Sequence, residues 1–207
     1  SGGGGGGAAP AEPTFKSIMS VYEDAASPHN NILGFYSIDD DEFVDLTDAT
    51  AHDVVSSDTT PPIQIGNLVY FVNRETANSG ADKMWVYDPA AAKSSTNPKQ
   101  LFAINATVTD DDEIDYMVAY EGKLYFSAYD TNVYRTFEYD PGAAIVSGTN
   151  PKPLYDLFSQ DLMIADGKMY FVANDISAGQ ELHVFDMSQA VGASNPLVID
   201  INPGGSG

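Results

Sequence analysis

Two runs of acidic residues are the strongest concentration of potential metal ligands in this sequence. Ca²⁺ is coordinated by about six to eight oxygen atoms, so several carboxylates on one loop provide the chemistry that this ion requires. The runs are DDDEFVD and TDDDEID, and each supplies a triplet of candidate Ca²⁺ ligands: Asp39, Asp41 and Asp45 in the first, and Asp110, Asp112 and Asp115 in the second.

The spacing of these acids also has a simpler interpretation. Neither run follows the D-x-[DN]-x-[DN]-G pattern of an EF-hand loop, and neither contains the glycine that its sharp turn needs. Consecutive residues on an extended strand point to opposite faces. The alternative is that both runs are solvated loops, and no cofactor other than Ca²⁺ is predicted.

Other catalytic chemistry has little support in the sequence. The absence of cysteine excludes disulfides, thiol catalysis and zinc–cysteine clusters. His29, His52 and His183 form no HExxH motif, and they share no repeat position with a nearby Ser and Asp, as a hydrolase triad would require. Carboxylate pairs for glycoside cleavage remain open, because thirty acidic residues create many accidental pairs. We therefore predict no catalytic residue.

The charge balance restricts the partners of the chain. Thirty acidic and nine basic residues give a formal net charge of −21. Nucleic acid is excluded and adsorption to anionic lipid is disfavoured, because both surfaces need clustered Lys and Arg. No apolar run approaches the ~20 residues of a membrane-spanning helix. Such acidity fits an extracellular protein, a binder of divalent cations, or a protein with a basic partner.

The two ends of the chain are rich in glycine. Residues 1–13 are predicted to form a flexible tether, because six glycines cannot offset the entropy of ordering their backbone. One explanation is an expression remnant. The other is a resemblance to the Ser/Gly-rich leash of mature bacterial lipoproteins, which implies a lipid anchor N-terminal to Ser1. The C-terminal DINPGGSG has the pattern of the start of a turn, which leaves a complete small propeller and a fragment of a longer protein as alternatives.

Three segments of the chain repeat the same order of parts. Each has a Gly-centred turn, a Tyr-Phe pair, a strand that ends in an aromatic residue and Asp, and a loop that ends in Asn-Pro. A fainter copy precedes them in residues 17–48. Four units of about fifty residues indicate a repeat architecture. The Tyr-Phe pairs are 70–71, 125–126 and 170–171, the aromatic–Asp pairs are 87–88, 139–140 and 185–186, and the Asn-Pro pairs are 97–98, 150–151 and 195–196.

Each unit is predicted to be a four-stranded antiparallel sheet. The stretches PIQI, YMVAY and LMIA supply innermost strands, and the glycine turns join them to the Tyr-Phe strands as tight hairpins. Uninterrupted apolar runs such as residues 169–173 fit strands that are buried on both faces, as between neighbouring propeller blades. We predict an all-β propeller of about four blades, either a complete small propeller or part of a larger ring. The predicted blades are 14–62 (degenerate), 63–113, 114–158 and 159–207.

Residues 63–204 resemble the bacterial ELWxxDGT repeat family. The best match is GKMYFVANDISAGQELHVFD, followed by VIDINPGG. The two preceding units keep Tyr-Phe and YDP but lack the Glu-Leu, and Asp-Gly-Thr is replaced by Asp-Pro or Asp-Met. The resemblance implies a propeller in an exported bacterial protein at the outer surface, in the periplasm or outside the cell. It transfers no catalytic residue, because the family motif is structural.

Several recurring residues have structural interpretations. The aspartates of the aromatic–Asp pairs are predicted to fix turns by accepting N–H groups two residues further on, with an acidic ring lining a channel as the alternative. The asparagines before proline are predicted to be extended turn residues. Trp85 aligns with Phe137 and His183, which favours a core position over stacking on a sugar.

The most economical function is a non-catalytic, acidic binding or scaffolding module for a protein or a surface polysaccharide. One alternative is a propeller enzyme of the glycosidase or lyase type, with an acidic site at the mouth of its channel. The other is a structural subunit of a larger surface assembly, in which exposed edge strands pair with a neighbour.

Overall fold

The structure of the chain, a computed structural model, is built from β-strands. It describes residues 60–75, 81–91, 94, 96–104, 112–131, 133–175 and 179–199, together with four earlier strands at 18–23, 31–37, 42–45 and 52–55. For those four strands, and for residues 74, 75, 81 and 175, only the backbone is described. The described residues form sixteen strands and no helix, which confirms the prediction of an all-β chain. Accordingly, no helix in this part of the chain is long and apolar enough to cross a membrane.

The first two sheets have the strand order of antiparallel meanders. In the first sheet the order is β1 (Ile18–Glu23), β2 (Asn31–Ser37) and β3 (Glu42–Asp45). The second sheet contains β4 (His52–Val55), β5 (Ile63–Ile65), β6 (Leu68–Glu75), β7 (Ala81–Tyr87) and β8 (Lys99–Phe102). Its order is β4-β6-β7-β8, and β5 pairs with another part of β6. Strand β4 therefore belongs to the second sheet, although it lies ahead of the boundary predicted at residue 63.

The third and fourth sheets are both four-stranded and antiparallel, in strict sequence order. This confirms the predicted four-stranded unit for both. The third contains β9 (Asp115–Tyr120), β10 (Lys123–Asp130), β11 (Val133–Tyr139) and β12 (Lys152–Tyr155), and the fourth contains β13 (Gln160–Ala165), β14 (Lys168–Asp175), β15 (Gly179–Asp186) and β16 (Leu197–Ile199).

The repeat in the sequence is a repeat in register. Phe71 pairs with Trp85, Phe126 with Phe137, and Phe171 with His183, so corresponding residues occupy the same place in the last three sheets. The hairpin turns follow from local chemistry. Both central residues of the turns at 121–122 and 166–167 have positive φ, as a type I′ turn requires, and Gly66 has a φ of 59°.

The last three sheets also share one irregularity. The pairing of β9 with β10 shifts between Tyr125 and Ser127, and that of β13 with β14 shifts at the corresponding level. In the second sheet, β5 pairs with residues 68–70 of β6 and β4 pairs with residues 72–75. Two separate strands therefore share this edge of β6, and the change from one to the other occurs at the same level as the shifts in the other two sheets. A bulge of this kind bends a strand and increases its twist.

The last three sheets pack face to face. The 2–3 interface, between the second and third sheets, contains Tyr70, Val72, Met84, Val86 and Phe102 from one side and Leu124, Phe126, Ala128, Phe137 and Tyr139 from the other. The 3–4 interface contains Tyr125, Leu154 and Tyr155 against Met169, Phe171, Ala173 and Phe185. Phe71, Phe126 and Phe171 are 1%, 0% and 1% exposed. The predicted burial on both faces is confirmed for β6 and β10, whereas in β14 only the face with Met169 and Phe171 is buried and Tyr170 on the other face is half-buried.

The outer face of the fourth sheet is open. Met163 is 58% exposed and Leu197 is 56% exposed. Ile199 is 38% exposed, whereas Phe102 and Tyr155, which hold its position in the two preceding sheets, are each 7% exposed. In those sheets the corresponding face is covered by the next sheet.

Candidate functional site

The loop between the third and fourth strands has the same structure in the last three sheets. The side chain of its first aspartate accepts a hydrogen bond from the backbone N–H two residues further on: Asp88 from Ala90 at 2.9 Å, Asp140 from Gly142 at 2.8 Å, and Asp186 from Ser188 at 3.0 Å. The predicted turn role of these aspartates is confirmed. The hydrogen bonds from Ser188 lower the pKa of Asp186.

A buried asparagine closes each of these loops, which we call the Asp–Asn loops. Asn97, Asn150 and Asn195 are 8%, 5% and 4% exposed, and each accepts the backbone N–H of its aspartate at 2.8 Å. Their amide groups also donate to the aspartate carbonyl oxygens at 2.7, 2.8 and 3.0 Å. Each asparagine precedes a cis proline. Sequence analysis identified a turn residue and missed this buried, multiply bonded side chain.

A groove of about 580 Å³ lies at the 2–3 interface, between the Asp–Asn loops of the second and third sheets. Its volume is within the range of about 300–1,000 Å³ that is usual for ligand pockets. Its lining combines apolar and polar residues. The apolar residues include Leu68, Val86, Leu101, Pro141 and Ile145, and the polar ones include Asp88, Ser94, Thr96 and Lys99.

Two tyrosines form the floor of the groove. The rings of Tyr70 and Tyr139 pack edge to face with their centroids 6.0 Å apart, and the residues are only 1% and 4% exposed. Neither phenol oxygen has a hydrogen-bond partner in the described part of the chain, although both residues line the groove. Burial, together with the nearby Tyr139, raises the pKa of Tyr70 to about 12. Burial also raises the pKa of Tyr139, so both hydroxyls are neutral near pH 7 and can donate and accept.

The same place in the 3–4 interface carries charged side chains. Lys123 and Glu138 correspond to Leu68 and Val86, and the Lys123 Nζ lies 2.7 Å from the Glu138 Oε1. The Tyr125 hydroxyl, which corresponds to that of Tyr70, donates to the Glu138 Oε2 at 3.2 Å. Burial and Glu138 raise the pKa of Tyr125.

Phe185 takes the place of Tyr139 in the 3–4 interface and has no hydroxyl. Tyr70 and Tyr139 of the groove, whose hydroxyls have no partner among the described residues, therefore have as counterparts Tyr125, which is bonded to Glu138, and Phe185, which has no hydroxyl. Sequence analysis missed the groove. In the aligned repeats, Lys123 and Glu138 stand at the positions of Leu68 and Val86, and this exchange was the sequence signal that could have indicated the groove.

The predicted acidic runs are only partly described. Asp39, Asp41 and Asp110 lie outside the described residues, Asp45 ends β3, where the backbone alone is described, and Asp115 begins β9. Asp112 is fully buried and lies 2.8 Å from the Nζ of Lys83, which is also buried. Its other carboxylate oxygen accepts the N–H of Ile104 at 2.9 Å. Asp112 is thus part of a buried ion pair between the second and third sheets.

Within the part of the chain that the structure describes, no group of three or more His, Cys, Asp or Glu side chains is arranged to hold a metal ion. Asp112 is bonded instead to Lys83 and to the N–H of Ile104. The two Ca²⁺ sites stay predictions.

Trp85 and His183 are core residues. Trp85 is 9% exposed and pairs with Phe71, which confirms its predicted core position. His183 is 1% exposed and stacks on Phe171 with ring centroids 5.2 Å apart. Its Nδ1 lies 3.0 Å from the carbonyl oxygen of Glu181.

No protein-family model matches the sequence, and a search of curated proteins finds no match. The resemblance to the ELWxxDGT repeat family stays a prediction. Function is therefore inferred from the geometry of the groove.

Proposed function

We propose that the chain is a non-catalytic propeller module of an exported bacterial protein, and that it binds a partner in the groove at the 2–3 interface. The face-to-face packing of sheets with a common register supports a propeller. So does the contact of the innermost strands β5, β9 and β13 with one another along the series. The net charge of −21 supports an extracellular location.

The observation that carries the proposal is the contrast between the groove and its counterpart. A phenol hydroxyl can donate one hydrogen bond and accept another, so a hydroxyl that faces a groove can bond a ligand. The hydroxyl of Tyr125 is bonded to Glu138, whereas those of Tyr70 and Tyr139 line the groove without a hydrogen-bond partner among the described residues. Two accessible hydroxyls in one groove are suited to a ligand that bonds both of them.

The groove is better suited to binding than to catalysis. Glycoside cleavage requires two carboxyl groups about 5–10 Å apart on either side of the bond. Among the described residues that line the groove, Asp88 is the single carboxylate, and its Oδ1 accepts the N–H of Ala90. The enzyme alternative therefore has no support in this groove.

The double variant Leu68→Lys/Val86→Glu tests the proposal, because it places in the groove a Lys–Glu pair like the Lys123–Glu138 pair at the same position in the 3–4 interface. Wild-type chain and variant are applied to arrays of peptides and of surface glycans. We expect wild-type binding to weaken at least tenfold in the variant, while the circular dichroism spectrum and melting temperature stay close to wild type. Met163→Lys, on the open face of the fourth sheet, is the matched control and should bind as wild type does. Equal binding by the double variant, or no binding to either array, would overturn the proposal.

A second candidate function, a subunit of a larger assembly, is favoured by the open face of the fourth sheet. The corresponding faces of the two preceding sheets are covered by the next repeat. We therefore propose that a sheet of the same kind, from a second copy of the chain, covers this face. We expect light scattering to show self-association of the chain as its concentration rises. The variant Met163→Lys/Leu197→Lys should stay monomeric, and an equally monomeric wild-type chain would contradict this candidate.

A further inference from the structure

We infer that the groove at the 2–3 interface binds an extended, neutral or basic peptide segment and encloses one of its aliphatic side chains. This inference rests on the proposed function, because it names the ligand class of the same groove. The alternative class is a surface glycan.

The walls of the groove favour an aliphatic group. Leu68 and Val86 lie on adjacent strands of the second sheet, and Ile145, which is 46% exposed, approaches from the Asp–Asn loop of the third. Burial of apolar surface contributes about 25 cal/mol per Å², so an apolar side chain would gain most from this position. The same burial would remove Ile145 from water.

The aromatic residues do not offer a surface for a sugar ring. An aromatic side chain attracts an apolar ligand face through its own exposed ring face. The rings of Tyr70 and Tyr139 pack edge to face and the two residues are only 1% and 4% exposed, and Tyr139 also packs on Phe102 with centroids 5.0 Å apart. Neither tyrosine therefore presents an exposed ring face to the groove, which favours a peptide over a glycan.

The two hydroxyls match the polar groups of a peptide main chain. A phenol hydroxyl can donate one hydrogen bond and accept another, and each peptide unit carries one N–H donor and one C=O acceptor. An aliphatic side chain that enters between Leu68 and Val86 would carry its own peptide groups toward the floor. Tyr70 and Tyr139 can then bond one carbonyl oxygen and one N–H.

The charge of the chain selects among peptides. A net charge of −21 repels acidic segments and attracts basic ones over a range of about 8 Å at physiological ionic strength. Among the described residues that line the groove, the exposed Lys99 is the single cation, opposite in sign to Asp88. Neutral and basic segments are therefore favoured, and acidic ones are disfavoured.

The test uses two small probes whose binding sites are located by methyl resonances in NMR spectra of the whole chain. N-acetyl-leucine N-methylamide represents a peptide with an aliphatic side chain, and methyl β-glucoside represents a sugar. We expect the leucine probe to shift the methyl signals of Leu68, Val86 and Ile145, and Leu68→Lys/Val86→Glu to abolish the remaining shifts. Tyr139→Phe places in the groove the residue type that Phe185 provides in the 3–4 interface. This variant should weaken binding of the leucine probe about fivefold through loss of one hydrogen bond.

The outcomes separate this inference from the proposed function. Shifts caused by methyl β-glucoside alone would overturn the peptide inference and leave a binding groove in place. Shifts caused by the leucine probe that persist in Leu68→Lys/Val86→Glu would place the probe elsewhere and also overturn the inference. If neither probe shifts these signals and neither array of the preceding test is bound, the inference and the proposed function both fail.

Discussion

The 2–3 and 3–4 interfaces are built on the same plan but differ at the end where the Asp–Asn loops lie. Their centres match position for position, with a phenylalanine of the Tyr-Phe strand stacked at the core of each. At the loop end, one has Leu68 and Val86 beside two tyrosine hydroxyls that have no partner among the described residues, and the other has the Lys123–Glu138 pair. The common framework therefore carries an uncharged groove in one interface and an ion pair at the same place in the other.

The opposite ends of the two interfaces differ in their buried polar groups. The 2–3 interface contains the Lys83–Asp112 ion pair. The 3–4 interface contains a hydroxyl network, in which the Ser127 hydroxyl donates to the Ser159 carbonyl at 2.7 Å and the Thr136 and Ser159 hydroxyls are 2.7 Å apart. The repeats preserve the aromatic centre, whereas at this end Ser127 and Thr136 stand where the second sheet has Val72 and Met84.

The largest effects should come from the shared centre. Phe126 stacks between Phe102 and Phe137, at centroid distances of 6.0 and 5.6 Å, and Phe171 stacks on Tyr155 at 5.2 Å. We expect Phe126→Ala and Phe171→Ala each to lower the free energy of unfolding by about 3–5 kcal/mol, measured by urea denaturation. A loss below about 1 kcal/mol at either position would show that its interface does not hold the sheets together.

The buried ion pair should give the next largest effect. Removal of one partner leaves an uncompensated buried charge, so Asp112→Leu should destabilise the chain by about 3 kcal/mol or more. The variant Lys83→Met/Asp112→Leu should recover most of this loss, because it removes both charges. Ser159→Ala in the 3–4 interface should cost less, about 1–3 kcal/mol. Equal denaturation midpoints for Asp112→Leu and wild type would contradict the buried pair.

The Asp–Asn loops allow stability to be separated from binding. Replacement of Asn97, Asn150 or Asn195 with Ala removes several hydrogen bonds of a buried amide, and each should cost about 2 kcal/mol in urea denaturation. The loops closed by Asn97 and Asn150 flank the groove, whereas that of Asn195 does not. Only the first two variants should also weaken binding of the leucine probe, and an equal loss for Asn195→Ala would contradict the location of the site.

Alkaline pH should weaken both interfaces through their tyrosines. Burial raises the pKa of Tyr70 and of Tyr155 from 10.0 to about 12. The folded state therefore favours the neutral phenols: their contribution is full below pH 10 and is lost as the pH rises toward 12. We expect the free energy of unfolding to fall by up to about 1.4 kcal/mol per pH unit for each tyrosine in this window.

Urea denaturation at pH 9 to 11.5, with tyrosinate absorbance at 295 nm, measures this dependence. Tyr70→Phe and Tyr155→Phe should each reduce the slope. Ionisation of every tyrosine near pH 10 without loss of stability would contradict the raised pKa values.

The smallest effect should distinguish the two interfaces by a single oxygen atom. The Tyr139 hydroxyl has no partner in the described part of the chain, whereas the Tyr155 hydroxyl lies 3.3 Å from the Ser159 Oγ and 3.4 Å from the Met169 Sδ. We expect Tyr139→Phe to change the free energy of unfolding by less than about 0.5 kcal/mol and Tyr155→Phe to lower it by about 1 kcal/mol. Equal losses of stability for Tyr139→Phe and Tyr155→Phe in thermal denaturation would show that the Tyr139 hydroxyl already has a hydrogen-bond partner.

The sequence predicted those parts of the structure that depend on local pattern. The Tyr-Phe strands, the glycine hairpins and the core position of Trp85 follow from residue types that recur at fixed spacing, and the structure confirms them. The aspartate turns were predictable for the same reason, because the bonded N–H lies only two residues away.

The groove and the ion pair depend on contacts between distant residues. Tyr139 meets Tyr70 only after two sheets have packed together, and Lys83 lies 29 residues from Asp112. The acidic run around Asp112 has the composition of a cation-binding loop, and nothing local distinguishes an acid that turns inward toward a lysine. Alignment of the repeats reveals the exchange of Val86 for Glu138, but whether that exchange opens a space depends on the neighbouring sheet.

The open face of the fourth sheet has a consequence for the order of unfolding. In a linear array, the stability of each unit is its own folding energy plus that of its contacts with neighbours. The third sheet is packed on both sides, whereas the fourth leaves Met163, Leu197 and Ile199 in water. Among the last three sheets, the fourth should therefore be the least stabilised by its neighbours, and unfolding within these sheets should begin there and proceed toward the groove.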